Sequence, residues 1–522
     1  MLATLLSATL HGVQGRIVRV EVDVAPGLPG FSIVGLPDAA LSEARERVRG
    51  ALRNAGYHHP PRRITVNLAP ADLRKAGASL DLAIALGILL GSEQLRAGPD
   101  PLAVIGELGL GGEVRRVPGI LPMCLVLAAR GIRRVAVPSE AIAEASLAPG
   151  ITPVGVASVA EAAEILRATR SRRRRPAPLP RTGVGVASHL PVADPVPPPI
   201  EGAVDLADVR GQAAARRALE IALAGAHALL LIGPPGSGKT LLARTIPGLL
   251  PDLDDAAALA ATVIASAASE APVAELVRRP PVRMPHHTTS YAGMVGGGPR
   301  LSPGEVTLAH HGVLFCDELP EFGRDVLEAL RQPLEDGRVA VVRVGRSAVF
   351  PARFAFVAAM NPCPCGQYGT EDRTCSCPPG VPDRYLRRVS GPLRDRMDLW
   401  VRVGRVAPEV MLGDGHPEPS CVVAARIASA RAFAASRGAT APNGRLAGRE
   451  LRTACSLDPG AMGRAVLLAE REGLSGRGMD RLLRVARTIA DLAGSAAVGP
   501  DHLDEAARFR APVDRFALRV AG

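Results

Sequence analysis

The sequence predicts an α/β protein with a helical C-terminal part, on three observations. Strand-like apolar runs alternate with helix-like ones over residues 1–168 and again over 205–406. In "HALLLIGPPGSGKTLLARTIPGLL" (227–250) an apolar run, a Gly-rich turn and a helix start follow one another. From about residue 417 the pattern is helical throughout and closes near "VDRFALRV".

The elements follow in order. "RIVRVEVDV", "RITVNLAP" and "RRVAVP" read as strands, and "ALSEARERVRGALRNAG" and "GILPMCLVLAARG" as helices. The most apolar stretch, "SLDLAIALGILLG" (79–91), carries an Asp and falls short of the roughly 20 residues a bilayer needs. "RSRRRRPAPLPRTGVGVASHLPVADPVPPP" (170–199) is Pro-rich, basic and aperiodic, which predicts an extended linker over 169–204. A core over 205–406 and a helical domain over 407–522 complete the chain, and no repeat of solenoid period occurs.

Composition bounds the partners. With 522 residues, nearly half of them apolar but only 3% aromatic, the chain can build several Ala-, Val- and Leu-rich cores. Few aromatics also disfavour a surface that grips single strands by base stacking. The start "MLATLLSATLHGVQGRIVRV" has neither a basic n-region nor a sustained apolar run, so no signal peptide is predicted. A cytoplasmic protein with no membrane partner is expected, where thiols stay reduced. The net charge of +11 permits a polyanion, although "RSRRRR" (170–175) also reads as a solvated linker.

Gly233, Pro234, Pro235, Gly236, Ser237, Gly238, Lys239 and Thr240 form the P-loop pattern G-x-x-x-x-G-K-[ST] between a strand and a helix. Its glycines let backbone N–H groups close around phosphates, Lys239 reaches the β- and γ-phosphates, and Thr240 holds Mg²⁺. "HGVLFCDELPEF" (311–322) is an apolar strand ending in Asp317, placed for the Mg²⁺ shell, and Glu318, placed to polarise the attacking water. "RFAFVAAMNP" (353–362) ends in Asn361, which either orients that water or only forms an Asn-Pro turn. "SGPLRDRMDLWVRV" offers Arg394 and Arg396 to a neighbouring subunit's γ-phosphate or to an intrachain salt bridge. Arg477, opening the basic helix "LSGRGMDRLLRVARTIADLAG", reads as a contact to the same nucleotide from a helical lid or as part of a solvated basic face.

Cys363, Cys365, Cys375 and Cys377 form C-x-C-x₉-C-x-C directly behind Asn361. In a reducing compartment this density suggests a structural four-sulfur Zn²⁺ site, with free loop thiols as the alternative.

These motifs in this order resemble an AAA+ ATPase. The stretches "PHHTTSYAGMVGGGPRLSPGEVTLAHHGVLFCDELPEF" and "LRQPLEDGRVAVVRV" resemble the magnesium-chelatase-like branch, and within it the YifB/ComM family, over nearly the whole chain. The resemblance implies a P-loop AAA+ α/β domain with chelatase-type insertions and a C-terminal helical lid domain. It implies ATP and Mg²⁺ as cofactors, a homo-oligomer that is a hexamer, and DNA as partner, ComM proteins being branch-migrating helicases of natural transformation. It makes Asn361 sensor 1, Arg396 the arginine finger and Arg477 the sensor 2 arginine. It also implies two insertions, "SYAGMVGGGPRLSPGE" (290–305) and a hairpin over 337–354. Arg343 and Arg346 near the hairpin tip are expected to push on DNA phosphates, with ordinary packing between subunits as the alternative.

Residues 1–168 resemble the chelatase-associated domain with a Lon-protease-like, S5-type α+β fold. Ser79 falls where a Lon-like nucleophile would be, but such a serine needs a lysine base. The matching stretch "RRVPGILPMCLVLAARGI" has Leu121 at that position, and Lys75 is too close in sequence to serve. Ser79 is therefore expected to be a helix-start residue. Two other functions remain open: the motor subunit of a metal chelatase, and a remodelling scaffold switched by ATP.

Overall fold

The computed structural model describes residues 1–36, 38–73, 75, 77–167, 204–268, 272–298, 301–343, 346–369, 374–413 and 417–510. The predicted linker lies outside these residues over 168–203, as does the stretch "VDRFALRV".

The N-terminal region is built on a seven-stranded sheet. Its order is Gly30–Val34, Arg63–Ala69, Gln14–Ala25, Leu2–His11, Ala103–Val104, Arg134–Pro138, Thr152–Val156. Period-two alternation decides its faces: Val18, Val20, Val22 and Val24 are buried while Arg19 faces out. Helix Asp81–Gly91, the most apolar stretch of the sequence, lies on that inner face. A Cβ on Gly87 would stand 2.5 Å from Val22 Cγ2, so the helix rests directly on the strand. The Asp in this apolar run is neutralised rather than exposed: buried Asp81 accepts from Arg47 Nε at 2.7 Å.

The second region is a five-stranded parallel sheet in the order Val282–Arg283, Val313–Cys316, Ala355–Met360, Leu229–Ile232, Leu399–Arg402. The three middle strands are buried at every position, as a parallel sheet covered on both faces requires. The P-loop strand Leu229–Ile232 thus lies between the Asn361 strand and the Arg396 strand. Such a sheet places ligands at the carboxyl ends of its strands.

One face of this sheet shares a core with the C-terminal helices Ser420–Ser436, Gly448–Cys455, Pro459–Glu472, Gly476–Leu492 and Pro500–Arg508. Two of these starts are capped as their sequence suggests. Asp458 accepts from Ala461 N at 2.7 Å, and Ser475 accepts from Gly478 N at 3.2 Å. The other face carries the hairpin Arg338–Arg343/Arg346–Pro351 and the Gly-rich segment around helix Tyr291–Val295.

The N-terminal region docks on this second face. Ser266, in helix Asp255–Ala268, donates its hydroxyl to Glu144 Oε1 at 2.6 Å, both of them buried, and Glu144 also receives Arg116 at 2.9 Å. His11 Nε2 meets the Ser347 carbonyl of the hairpin at 2.8 Å. No helix among the described residues is long and apolar enough to cross a membrane.

Candidate nucleotide site

The P-loop turn depends on glycine at one step above all: Gly238 sits at φ +91°, a conformation costly for any residue with a Cβ. The helix Lys239–Arg244 begins at the next residue. Lys239 is buried, and its ammonium donates to the carbonyls of Gly233 and Pro234 at 2.8 Å each and to Asn361 Oδ1 at 3.2 Å. Burial pulls its pKa down, and the charges of Asp317 and Glu318 oppose that pull.

Thr240 Oγ1 donates to Asp317 Oδ2 at 2.5 Å, joining the two residues expected to share Mg²⁺. A hydroxyl and a carboxylate in contact at the P-loop helix start are the hard oxygen donors this cation takes. Asp317 Oδ1 accepts the backbone N–H of Glu318 at 2.9 Å. Glu318 stands at φ 50°, ψ 46°, a left-handed conformation uncommon for a non-glycine residue and frequent at working sites. The carboxyl ends of three neighbouring strands therefore bring Lys239, Thr240, Asp317, Glu318 and Asn361 into one cluster.

Two members were not singled out from the sequence. Gln212 donates to the carbonyls of Ser237 at 3.1 Å and Gly404 at 2.6 Å, tying the segment before the core to both the P-loop and the end of the Arg396 strand. His287 Nδ1 lies 3.3 Å from Glu318 Oε2. The only sequence signal for it is a pair of histidines just ahead of the Gly-rich segment.

The four loop cysteines converge. Sulfur separations are 3.3 Å for Cys363–Cys365, 3.5 Å for Cys365–Cys375 and 3.7 Å for Cys363–Cys375, and all four sulfurs lie within 4.8 Å of one another. A tetrahedral Zn–S shell with bonds of about 2.3 Å needs edges of about 3.8 Å, close to these values. Burial pushes the Cys363 thiol up to about 12. At Cys365 burial acts the same way but is outweighed by the Gln367 N–H, the Cys363 thiol and the Ser376 N–H, which bring it to about 5. The loop also touches the nucleotide site, since a Cβ on Gly366 would stand 2.3 Å from Pro235 Cδ of the P-loop.

Arg396 and Arg477 are not in this cluster. They line a cavity of about 1350 Å³ bordered by Ala228, Gly312, Ala355 and Asp398, at the amino ends of the strands. Arg396 pairs with Glu335 and donates to the Pro392 carbonyl at 2.8 Å, and Arg477 is exposed. Arg394 closes the short helix Gly391–Arg394, and its Nε is buried with no hydrogen-bond partner among the described residues.

In the hairpin, Arg343 and Arg346 form the last strand pair, so both stand at the tip as expected. The Arg343 guanidinium lies 3.3 Å from where a Cβ on Gly297 would be, so hairpin and Gly-rich segment touch. Residues 344–345 and the side chain of Arg346 lie outside the described residues. Val339, Val341, Ala348 and Phe350 bury one hairpin face, while Val342, Arg343 and Val349 remain exposed.

Ser79 precedes helix Asp81–Gly91 but does not cap it; its hydroxyl donates to the Ala8 carbonyl at 3.1 Å. Lys75 is fully buried and donates to the Pro70 carbonyl, and Leu121 is core. The serine is a tie between strand and helix start, and the lysine is engaged elsewhere.

A P-loop at the carboxyl ends of a parallel sheet, with an Asp-Glu strand end, a strand-end Asn and a helical lid, defines a magnesium-chelatase-like P-loop protein of the AAA+ class. Family models agree along the chain: "Magnesium chelatase, subunit ChlI" matches residues 205–411, "Subunit ChlI of Mg-chelatase" 20–141, and "Magnesium chelatase, subunit ChlI C-terminal" 417–510. An uncharacterised protein of Mycobacterium tuberculosis is 42% identical over 516 residues, covering 97% of both chains. YifB of Escherichia coli is 41% identical over 513 residues, covering 98% of this chain and 97% of that protein. Competence protein ComM of Haemophilus influenzae is 39% identical over 515 residues, covering 98% of each. The chain belongs to the YifB/ComM family of magnesium-chelatase-like AAA+ proteins, a class that uses ATP and Mg²⁺.

Proposed function

We propose that this chain is a ring-forming, hexameric ATPase that drives movement on branched DNA, a branch-migration helicase of ComM type acting in natural transformation and recombination. The observation that carries this reading is the separation of the phosphate-binding cluster from Arg396 and Arg477, at opposite ends of one sheet. A site divided in this way becomes complete where one subunit's P-loop meets the arginines of the next, in a closed homo-oligomer.

Within that site the P-loop amides and Lys239 bind the phosphates of ATP, and Thr240 and Asp317 hold Mg²⁺. When bound there, the cation would supply charge neutralisation at the triphosphate. Asn361 orients the attacking water and Glu318 accepts its proton. Arg396, from the neighbouring subunit, stabilises the charge that develops on the γ-phosphoryl group, and Arg477 contacts nucleotide from the lid.

DNA contact is assigned to the Gly-rich segment and the hairpin, with Arg343 and Arg346 facing phosphates along the ring's axis. The support is full-length similarity to a competence protein, the net charge of +11 and the exposed hairpin face. The cysteine cluster is assigned to one structural Zn²⁺ per chain, a closed four-thiolate site without catalytic role.

The family models favour a second reading, the motor subunit of a metal chelatase. One of them covers part of the N-terminal region, so that region by itself does not separate the two. The deciding experiment is ATP turnover with and without four-way or forked DNA. Stimulation several-fold or more supports the DNA motor, and indifference to DNA favours the chelatase subunit or an ATP-switched scaffold. Arg343→Ala together with Arg346→Ala should weaken DNA binding and flatten its salt dependence while sparing DNA-free turnover.

A further inference from the structure

The nucleotide cluster is built within the second region, whereas the first turn of the N-terminal region reaches the hairpin that carries Arg343 and Arg346. Strands Leu2–His11 and Gln14–Ala25 are joined by two residues, Gly12 and Val13, with His11 paired opposite Gln14. Gly12 takes φ +62°, which suits so short a turn, and a Cβ there would stand 3.2 Å from both Ala348 Cβ and Phe350 Cε1. Val13 is 5% exposed and shares the core of Val339, Val341, Ala348 and Phe350 in the hairpin, rather than the cores of its own region. Turn tips ordinarily face solvent. An apolar tip residue buried in another region's core is a built contact.

This contact falls close to the hairpin tip. His11 Nε2 donates to the Ser347 carbonyl at 2.8 Å, and Ser347 pairs with Val342, one step below the Arg343–Arg346 pair. A two-stranded hairpin alone is marginal in water, so what packs on its face decides how stiffly the tip stands. The N-terminal turn lies on the face of Ala348 and Phe350, while Val342 and Val349 on the other face remain 74% and 53% exposed. The N-terminal region is anchored at a second place as well. Gly119 donates its N–H to the Ser266 carbonyl at 2.9 Å, and Leu259 and Val263 of helix Asp255–Ala268 pack against the core around helix Ile120–Ala129. Strand Leu2–His11, paired with its neighbour at all ten positions, thus belongs to a body with one foot on the helix that follows the P-loop segment and the other near the hairpin tip.

We propose that the His11–Gln14 turn is a brace that positions the DNA-engaging hairpin, and that through it the N-terminal region passes the movement of the ATPase core to DNA. Val13 and His11 are positioning residues, which act through Arg343 and Arg346 and touch no phosphate themselves. Held by the turn, the hairpin tip moves as one with the core; released, it yields to the DNA instead of displacing it. Loss of one buried valine shifts the balance between held and released hairpin by about tenfold or more. The inference rests on the DNA-motor reading above and gives the N-terminal region its part in that motor.

The test uses the full chain with ATP, Mg²⁺ and a four-way DNA junction. Val13→Asn puts a neutral amide into the apolar contact without adding charge near DNA. It should raise the DNA concentration for half-maximal stimulation about tenfold, with DNA-free kcat and the KM for ATP unchanged. The salt dependence of DNA binding should keep its wild-type slope, because no phosphate contact is removed. Amide hydrogen exchange should speed up over Arg338–Arg343, and Val13→Ile, which refills the contact, should restore both readouts. His11→Ala gives up only the Ser347 contact and should act in the same direction by about two- to fivefold; it carries the test if the asparagine chain does not fold. Hairpin exchange unchanged in the folded variant, or normal DNA stimulation from a loosened hairpin, overturns the brace. Wild-type turnover that ignores DNA sinks the motor reading and the brace together, a failure told apart because it needs no substitution to appear.

Discussion

The two ends of the five-stranded sheet solve opposite problems. At the carboxyl ends, Lys239 meets Asn361 at 3.2 Å and Thr240 meets Asp317 at 2.5 Å, and the register of neighbouring strands together with the P-loop turn brings the two pairs together. At the amino ends, Arg396, Arg477, Arg481 and Arg484 share a wide cavity with carboxylates such as Glu335, whose side chain is 63% exposed. Pairs that open contribute little, so a phosphate can take the place of the carboxylate. Strands of four to six residues separate the two ends by about 13–20 Å, farther than one side chain reaches. On the proposed reading, the difference teaches that half of the chemistry is built to be offered outward.

The largest effect should come from the self-contained end. Lys239→Ala is expected to lower ATP turnover by about 100-fold or more, read as phosphate release. Arg396→Ala should come near it in magnitude if its γ-phosphate belongs to the next subunit. Mixing the two inactive chains then sharpens the comparison. Some interfaces in mixed rings pair an intact P-loop with an intact arginine, so part of the turnover should return. No recovery on mixing, or near-normal turnover of Arg396→Ala alone, would break the divided-site account.

This contrast also marks what the sequence could reveal. Lys239, Thr240, Asp317 and Asn361 were legible because each stands at the end of an apolar run, and a parallel sheet aligns such ends without knowledge of packing. Their alignment is local arithmetic: strand, then turn, then polar residue. The location of Arg396 and Arg477 is not of that kind. Arg396 precedes its strand, which puts it at the amino end, while Arg477 depends on how a helical layer docks on the sheet. Gln212 and His287 escaped notice for the same reason, as each meets its partner across a tertiary gap. Ser79 shows the converse, a motif-like position whose hydroxyl is committed to the Ala8 carbonyl.

Next in size is the cysteine loop, which braces the self-contained end from outside through Gly366 against Pro235. Elemental analysis of purified protein should find about one zinc per chain. Removing it with a strong chelator, or replacing Cys375 and Cys377 by Ser, should lower Tm and slow ATP turnover about two- to tenfold, because structural metal binding is folding free energy. Protein that holds no zinc, or loses it with Tm unchanged, would detach the loop from the site.

The smallest effect probes what joins the two ends. His227, directly before the P-loop strand, meets Asp398 Oδ2 through Nδ1 at 3.2 Å and Thr488 Oγ1 of the lid helix through Nε2 at 2.7 Å. Asn443 donates to the same hydroxyl at 3.2 Å and to Asp491 at 2.6 Å. All five groups are buried, so each depends on its partner. Thr488→Val keeps the shape but leaves His227 and Asn443 short of one contact each, at a cost of about 1–3 kcal/mol. Burial alone would raise the Asp398 pKa, but the His227 N–H, together with the charges of His227 and Arg484, holds it below the ordinary carboxylate value. A depressed acid contributes stability above its unfolded pKa of about 4 and loses it as pH falls through the folded value. Denaturant melts of wild type and Thr488→Val from pH 7 down to pH 3 check both parts. The variant should be weaker at neutral pH, and the gap should narrow in acid as Asp398 is protonated and the relay opens. A constant gap across that range would mean that the hydroxyl stabilises the lid helix alone and does not tie it to the sheet.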